Sequence, residues 1–169
     1  LFGYSLSFAP SGNAFIGDFR WLGLEGVSLT EGYTDDASIP NMVFSAFQMM
    51  FAVITPALIT GAVAGRMKFK SIFVFTIFWS LIVYYPLAHM VWGQGGLLGA
   101  DGIGALDFAG GDVVHISSGV SALVLCILLG KRHDYEHSIY RIHNIPTVVL
   151  GASLLMFGWF GFNAGSALA

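Results

Sequence analysis

Four stretches of this chain are long, apolar and free of Asp, Glu, Lys and Arg, and they restrict its possible folds more than any other feature. They cover residues 42–65, 71–92, 113–130 and 145–169. Uninterrupted apolar runs of about 18 or more residues are typical of membrane-spanning helices. The composition agrees, because 56% of the 169 residues are hydrophobic and 10% are charged, whereas soluble domains carry about 25% charged residues.

These runs predict an all-α, polytopic integral membrane protein. We expect four full or nearly full spans, at about residues 42–65, 71–92, 108–130 and 145–169, and the truncated end of a fifth helix at residues 1–10. The chain starts at Leu1 in one apolar stretch and stops at Ala169 in another, so we interpret it as an internal fragment of a longer protein.

The basic residues predict how the chain is oriented in its membrane. Arg20 precedes the first full span, whereas the other bases fall in two loops: Arg66, Lys68, Lys70, Lys131, Arg132 and Arg141. Loops rich in Lys and Arg face the cytoplasm. We therefore expect loops 66–70 and 131–144 to be cytoplasmic and loops 11–41 and 93–106 to be external, in a plasma membrane or a bacterial inner membrane.

The net charge of −3, without a basic block, gives no indication of nucleic-acid binding.

An acid, two glycines and a histidine stand at the start of the third run. His115 lies eight residues after Asp107, which places it about 12 Å deeper along a helix. Asp107 is placed to accept hydrogen bonds from the free amides of the first turn. An ionisable residue within a span is by default a candidate functional residue. A histidine that only packs against its neighbours is an equally good interpretation of the spacing alone.

The segment Asp107-Phe-Ala-Gly-Gly-Asp-Val-Val-His115 resembles the signature of the ammonium transporter family (Amt/Mep/Rh), in its Amt branch. Three further segments resemble the same family in the same order: Ala46-Phe47-Gln48 with Phe51, Ala88-His-Met-Val-Trp-Gly93, and Gly158-Trp-Phe-Gly-Phe-Asn-Ala-Gly-Ser166. The resemblance implies part of an inverted-repeat transporter bundle, covering somewhat under half of a typical member.

The resemblance also implies roles for individual residues. Phe51, Trp92 and Ser166 match an external site that recruits the cation, and Phe51 and Phe162 match a pair of rings that closes the pore. His115 matches the first of two pore histidines, whose partner is absent from this chain. Four further positions match supporting roles around the site: Phe47, Gln48, Asp107 and Trp159. Taken singly, Trp92 is more typical of an interfacial anchor, and both phenylalanines are typical of lipid or core contacts.

The function that the resemblance implies is transport of ammonium or ammonia through an apolar pore, for nitrogen uptake. It further implies a homotrimer and a cytoplasmic regulatory partner of the PII type. The alternatives are a Rh-like ammonia gas channel, which generally lacks the tryptophan matched by Trp92, and an ammonium sensor on the same scaffold. A membrane enzyme ranks last, because no nucleophile–base pair or paired carboxylates fall within the spans. We expect no cofactor or metal; His133 and His137 have helical metal-site spacing but stand in a polar loop.

Overall fold

The computed structural model describes residues 2–10, 12–100, 102–137, 139 and 141–168. Its long elements are all helical, which confirms the predicted fold class. They are α1 (Gly3–Phe8), α2 (Asn41–Val63), α3 (Phe69–Trp92), α4 (Gly111–Leu129) and α5 (Ile145–Gly165). A short 3₁₀ helix covers Leu22–Leu24. Helices α2 to α5 are each long and apolar enough to cross a membrane, so this is a multi-pass membrane protein.

The start of α4 is set by a turn rather than by the beginning of the apolar run. The sequence predicts a span from residue 108, but the helix begins at Gly111. Gly110 precedes it with a φ of 99°, a left-handed conformation that glycine adopts without strain. A Cβ at this position would lie 2.8 Å from Cγ2 of Val114. The turn therefore requires glycine at position 110 for two reasons, the backbone angle and the close packing against Val114.

Two membrane-spanning helices contain a turn of π-helix. Ser80–Tyr84 lies within α3, and Gly111–Ile116 opens α4. Pro86 follows the first of these turns, and proline has no N–H and conflicts with the carbonyl group four residues earlier. The wider turn, which ends with the Tyr85 N–H bonded to the Ser80 oxygen, accommodates the proline without breaking the helix. Such turns are frequent at functional sites.

The core lies where α2, α3 and α4 pack together. The buried cluster consists of Ile59, Trp79, Tyr84, Ala88, Val91 and Val113. The Trp79 indole N–H donates to Oγ of Ser121 at 2.8 Å and so links α3 to α4. In contrast, none of the residues of α5 is buried. The contacts of α5 that matter below all come from the second half of this helix.

Basic side chains bring the ends of α2 and α4 together. Arg66 Nη1 donates to the Gly130 oxygen at 2.8 Å, and Arg132 Nε donates to the Ala64 oxygen at 3.1 Å. Each arginine thus bonds a carbonyl group at the C-terminal end of the other helix, where free carbonyl groups and the helix dipole favour a cation. The starts of the two basic loops, 66–70 and 131–144, therefore lie side by side.

His89 fixes the opposite end of α3. Its imidazole is buried, with Nδ1 3.0 Å from the Ser7 oxygen and Nε2 2.8 Å from the Asn13 oxygen. The first contact is with α1 and the second is with the loop that follows it. His89 therefore holds the end of α1 and this loop against α3, three residues before Trp92.

Candidate functional site

The site begins with the carboxylate of Asp107, immediately before α4. Oδ1 accepts hydrogen bonds from the amides of Gly110 and Gly111 at 2.5 and 2.8 Å. Oδ2 accepts from the amides of Asp112 and Val113 at 2.8 and 2.9 Å. One side chain thereby satisfies four N–H groups at a helix start, where the first-turn donors have no partner within the helix. The contacts of Asp107 are thus those of a residue that shapes the backbone.

Trp92, at the end of α3, is joined to the same turn. Its indole N–H donates to the backbone oxygen of Asp107 at 2.9 Å. Asp107 therefore makes two kinds of contact. Its side chain binds the amides at the start of α4, and its backbone oxygen fixes the orientation of the Trp92 indole. A tryptophan held in this way has a defined orientation, which an interfacial anchor does not require.

Phe51 is at the centre of a group of aromatic rings. Its ring centroid lies 5.2 Å from that of Trp92, 5.0 Å from that of Phe47 and 4.2 Å from that of Phe162. Phe51 is 1% exposed. The planes of Phe51 and Phe162 are inclined by 42°. The structure thus brings the two predicted gate phenylalanines into direct contact, with no space for an ion between them.

A cavity of about 310 Å³ lies against these rings; we call it the aromatic cavity. The three residues predicted to recruit a cation, Phe51, Trp92 and Ser166, all line it. Ser166 Oγ donates its proton to the Phe162 oxygen at 2.8 Å, which leaves the lone pairs of the hydroxyl group free to accept. Asp107 and Phe108 also line the cavity, as do four residues of the loop before α2: Tyr33, Thr34, Ala37 and Ile39.

The aromatic rings continue from the cavity toward His115. Trp159 stacks on Phe162 with a centroid distance of 5.6 Å and on His115 with a distance of 5.7 Å. The backbone N–H of His115 bonds to the Gly110 oxygen at 3.0 Å, five residues earlier. The π-turn thus sets the direction in which His115 leaves α4. Its imidazole is exposed on the surface of the described chain, beside Trp159.

Two of the predicted supporting residues, Phe47 and Gln48, come from α2. Phe47 packs against Gly165 of α5, where a Cβ would approach Cε2 of the phenylalanine to 2.9 Å. Glycine at position 165 thus permits α5 to approach α2. Gln48 is 9% exposed and lines the aromatic cavity. Its Oε1 is buried and has no hydrogen-bond partner in the part of the chain that the structure describes.

The loop before α2 contributes to the site, which the sequence did not predict. Tyr33 stacks on Phe44 with a centroid distance of 4.6 Å. Its hydroxyl oxygen accepts from the Gln94 N–H at 3.2 Å, and its carbonyl oxygen accepts from Gln94 Nε2 at 3.1 Å. Burial raises the pKa of Tyr33 to about 12, although the hydrogen bond from Gln94 acts in the opposite direction. The acidic, turn-rich composition of this loop indicates only solvent exposure, and no periodicity reveals its cavity-facing residues.

His133 and His137 have the spacing of a helical metal site, but the described residues of their loop do not form a helix. His133 and His137 lie in turns and are exposed. Within the part of the chain that the structure describes, no three His, Cys, Asp or Glu side chains are grouped for a metal ion.

Comparison with known proteins gives consistent matches along the chain. The sequence profile of the Ammonium Transporter Family matches residues 1–169. The ammonium transporter of Bacillus subtilis (strain 168) is 55% identical over 168 residues, which are 99% of this chain and 40% of the relative. Ammonium transporter Amt1 of Archaeoglobus fulgidus is 44% identical over 99% of this chain and 40% of its own length.

A solved structure matches as well. The crystal structure of Candida albicans Mep2 superposes with a TM-score of 0.82 at 38% identity, covering 98% of this chain and 36% of the Mep2 chain. The present chain therefore spans about 40% of the length of the curated relatives it matches.

Proposed function

Because this chain belongs to the ammonium transporter family, we propose that the full-length protein moves ammonium or ammonia across a membrane. The path begins in the aromatic cavity, passes the Phe51–Phe162 pair and continues beside His115. The observation that carries this proposal is the meeting of Phe51, Trp92 and Ser166 around one cavity of about 310 Å³. These residues come from α2, from the end of α3 and from the position directly after α5, so neighbouring sequence positions do not account for their meeting.

The aromatic cavity is suited to weak recognition of a small cation. A cation over an aromatic face gains about 0.5–2 kcal/mol, depending on how far it is desolvated. Phe51 and Trp92 offer two such faces, and the Ser166 hydroxyl group offers an acceptor for an N–H group. The Asp107 carboxylate already accepts four backbone amides. A site without a free carboxylate recruits the cation without trapping it.

The next step is passage between two rings in contact. The Phe51 and Phe162 centroids are 4.2 Å apart, so the rings must move for a substrate to pass. A charge at the centre of a bilayer costs at least about 2.5–3.5 kcal/mol. Neutral ammonia avoids this cost, and potassium, which has no proton to lose, does not. Separation of the proton from ammonia is therefore our basis for selectivity.

His115 is our candidate for the residue that handles the separated proton. A neutral imidazole donates from one nitrogen and accepts with the other. Its stacking on Trp159, which also stacks on Phe162, supports its place directly after the ring pair. In the full-length protein we expect a second histidine to complete a hydrogen-bonded pair with it.

We further propose that residues 1–169 are part of one membrane domain that assembles as a homotrimer, with one pore in each subunit. Loops 66–70 and 131–144 face the cytoplasm, where a PII-type regulator is the candidate partner. Transport requires no cofactor. The alternative functions are a Rh-like gas channel, which the tryptophan at position 92 disfavours, and an ammonium sensor.

Electrical recording from proteoliposomes of the full-length protein tests transport against sensing. We expect a saturable current after a jump in ammonium concentration and none after an equal jump in potassium. Empty liposomes are the control. Equal responses to ammonium and potassium would contradict the proposal, and transport of ammonia without charge movement, read with an internal pH dye, would favour the gas channel.

A further inference from the structure

Gln48 has a buried polar atom that the described residues leave unpaired. Among them, its Oε1 finds no hydrogen-bond partner, and the side chain is 9% exposed. Nearly all buried polar side-chain atoms in proteins have a partner, because an unpaired one costs the free energy of its lost hydration. A buried carbonyl oxygen left unpaired at the edge of a ligand cavity indicates a partner that arrives with the ligand.

The position of Gln48 makes such a ligand accessible. It precedes Phe51 by three residues, so both side chains project from the same face of α2, and both line the aromatic cavity. No hydrogen bond from the described residues fixes its amide group. The last torsion of glutamine has broad, roughly two-fold energy minima. Rotation of the amide plane exchanges Oε1 and Nε2 and so decides which of the two atoms faces the aromatic cavity.

The ammonium ion carries four N–H donors in a tetrahedral arrangement. The partners named so far account for three of these donors and leave one without an acceptor. Phe51 and Trp92 supply two aromatic faces, and Ser166 Oγ supplies one oxygen acceptor. The Asp107 carboxylate is occupied by backbone amides. Gln48 lines the cavity, and its Oε1 is a buried acceptor without a partner in the described chain.

We propose that Gln48 Oε1 is the fourth acceptor of the ammonium ion and distinguishes ammonium from its methylated analogue. This inference rests on the proposed function of the aromatic cavity. Methylammonium has only three N–H donors, which the two rings and Ser166 can satisfy while the methyl group faces Gln48. Removing the acceptor at position 48 must therefore weaken ammonium binding more than methylammonium binding.

A second cavity on the other side of Gln48 provides the competing explanation. It measures about 320 Å³, lies among α1, α2 and α3, and is also lined by Ser7, Ser45 and Tyr84. A water molecule held there would bond to Oε1 and make Gln48 a structural residue. The two explanations differ in what the loss of the amide does to stability and to substrate preference.

The test compares Gln48→Met and Gln48→Glu with the wild type, in the full-length protein reconstituted in liposomes. Methionine keeps the length of the side chain without the carbonyl group. We expect the ammonium concentration for half-maximal current to rise about tenfold in Gln48→Met, as loss of a hydrogen bond to a charged group predicts. The ammonium-over-methylammonium preference should fall by the same factor. The melting temperature should stay the same or rise, because no protein hydrogen bond is lost.

The glutamate variant gives an answer even if the methionine variant does not fold. A charged acceptor attracts a cation more strongly, so Gln48→Glu should lower the half-maximal ammonium concentration. Wild-type ammonium saturation in Gln48→Met with a lowered melting temperature would overturn the inference in favour of the bound water. Weaker ammonium binding in Gln48→Glu would overturn it as well. A wild-type protein without any ammonium response would instead refute the proposed function itself.

Discussion

The indole N–H of Trp92 donates a hydrogen bond to the backbone oxygen of Asp107, with 2.9 Å between nitrogen and oxygen. This bond joins the end of α3 to the turn before α4. The Asp107 side chain organises that turn by accepting four backbone amides. The ring that we propose to face a cation and the acid that shapes the nearby backbone are therefore positioned as one unit.

Replacing Trp92 separates its two contributions to the site. Trp92→Leu removes both the aromatic face and the hydrogen bond, whereas Trp92→Phe removes only the indole N–H and keeps a ring. We expect the half-maximal ammonium concentration to rise roughly 5- to 30-fold in Trp92→Leu, because a desolvated cation–π contact contributes about 1–2 kcal/mol. Trp92→Phe should show a smaller rise. Currents recorded from proteoliposomes over a concentration series measure both. An unchanged concentration dependence in Trp92→Leu would make Trp92 an interfacial anchor.

Replacing Asp107 is expected to reduce stability more than replacing the neighbouring acid Asp112. Asp107→Ala leaves four amides without their acceptor. Loss of a single helix cap costs about 0.5–2 kcal/mol, so we expect a loss of about 2–4 kcal/mol here. The neighbouring Asp112 is the matched control, because its carboxylate accepts no hydrogen bond in the described chain. Thermal unfolding in detergent should show a clear decrease for Asp107→Ala and a small change for Asp112→Asn. Equal melting temperatures of the two variants would contradict this role of Asp107.

The stability of the loop before α2, which lines the aromatic cavity, should depend on pH through Tyr33. Its folded-state pKa is raised to about 12 by burial, whereas a tyrosine in the unfolded chain titrates near 10. The folded state therefore holds this proton more tightly. The resulting stability is complete below pH 10 and is lost as the pH rises from 10 to 12.

The matched variant for this prediction is Tyr33→Phe, which keeps the ring that stacks on Phe44 and removes the titrating hydroxyl group. From pH 10 to pH 12, the melting temperature of the wild type should fall relative to that of the variant. Subtracting the variant cancels the contribution of the other tyrosines. A difference that stays constant over this range would show that Tyr33 is not protected from solvent.

The proposed orientation predicts which loops a membrane-impermeant thiol reagent reaches. Cys126→Ala removes the one cysteine of the chain, and single cysteines are then placed at the exposed positions Glu25 and Lys68. In sealed cells Glu25→Cys should react with external reagent, and Lys68→Cys should react only after permeabilisation. Labelling of Lys68→Cys from outside would reverse the orientation. Equal labelling of both in permeabilised cells is the control for accessibility.

Sequence patterns predicted the helices well because span length and lack of charge are properties of single segments. The four spans and the helix-start role of Asp107 follow from local rules that need no partner. The start of α4 at Gly111 was not predictable from hydropathy, because it depends on the left-handed Gly110 and the amides that Asp107 binds. The participation of Tyr33 was also missed, since it arises from a loop that folds onto α2 and Gln94. The grouping of Phe51, Trp92 and Ser166 was expected only by resemblance, because hydrophobic periodicity does not specify which helices meet.

The prediction for His115 decides whether the site continues beyond the phenylalanine pair. The imidazole stacks on Trp159 at 5.7 Å, and this contact suits a packing residue as well as a pore residue. If His115 takes part in moving the proton, His115→Ala in the full-length protein should abolish net charge movement or the discrimination against potassium. The neighbouring Ile116, which is 58% exposed, is the matched control, because Ile116→Ala removes a similar volume from the same turn without removing a proton site.

Electrical recordings with ammonium and potassium side by side distinguish these outcomes. Both variants should assemble as the wild type does, by native mass spectrometry of the full-length protein, so that a lost current cannot be attributed to misfolding. We expect His115→Ala to lose ammonium current, or to pass potassium, while Ile116→Ala keeps wild-type selectivity. A polar replacement, His115→Asp, should retain part of the current with altered selectivity, because a carboxyl group also binds and releases a proton. Wild-type current and selectivity in His115→Ala would show that this histidine only packs against Trp159, and proton transfer would then have to be assigned to another residue.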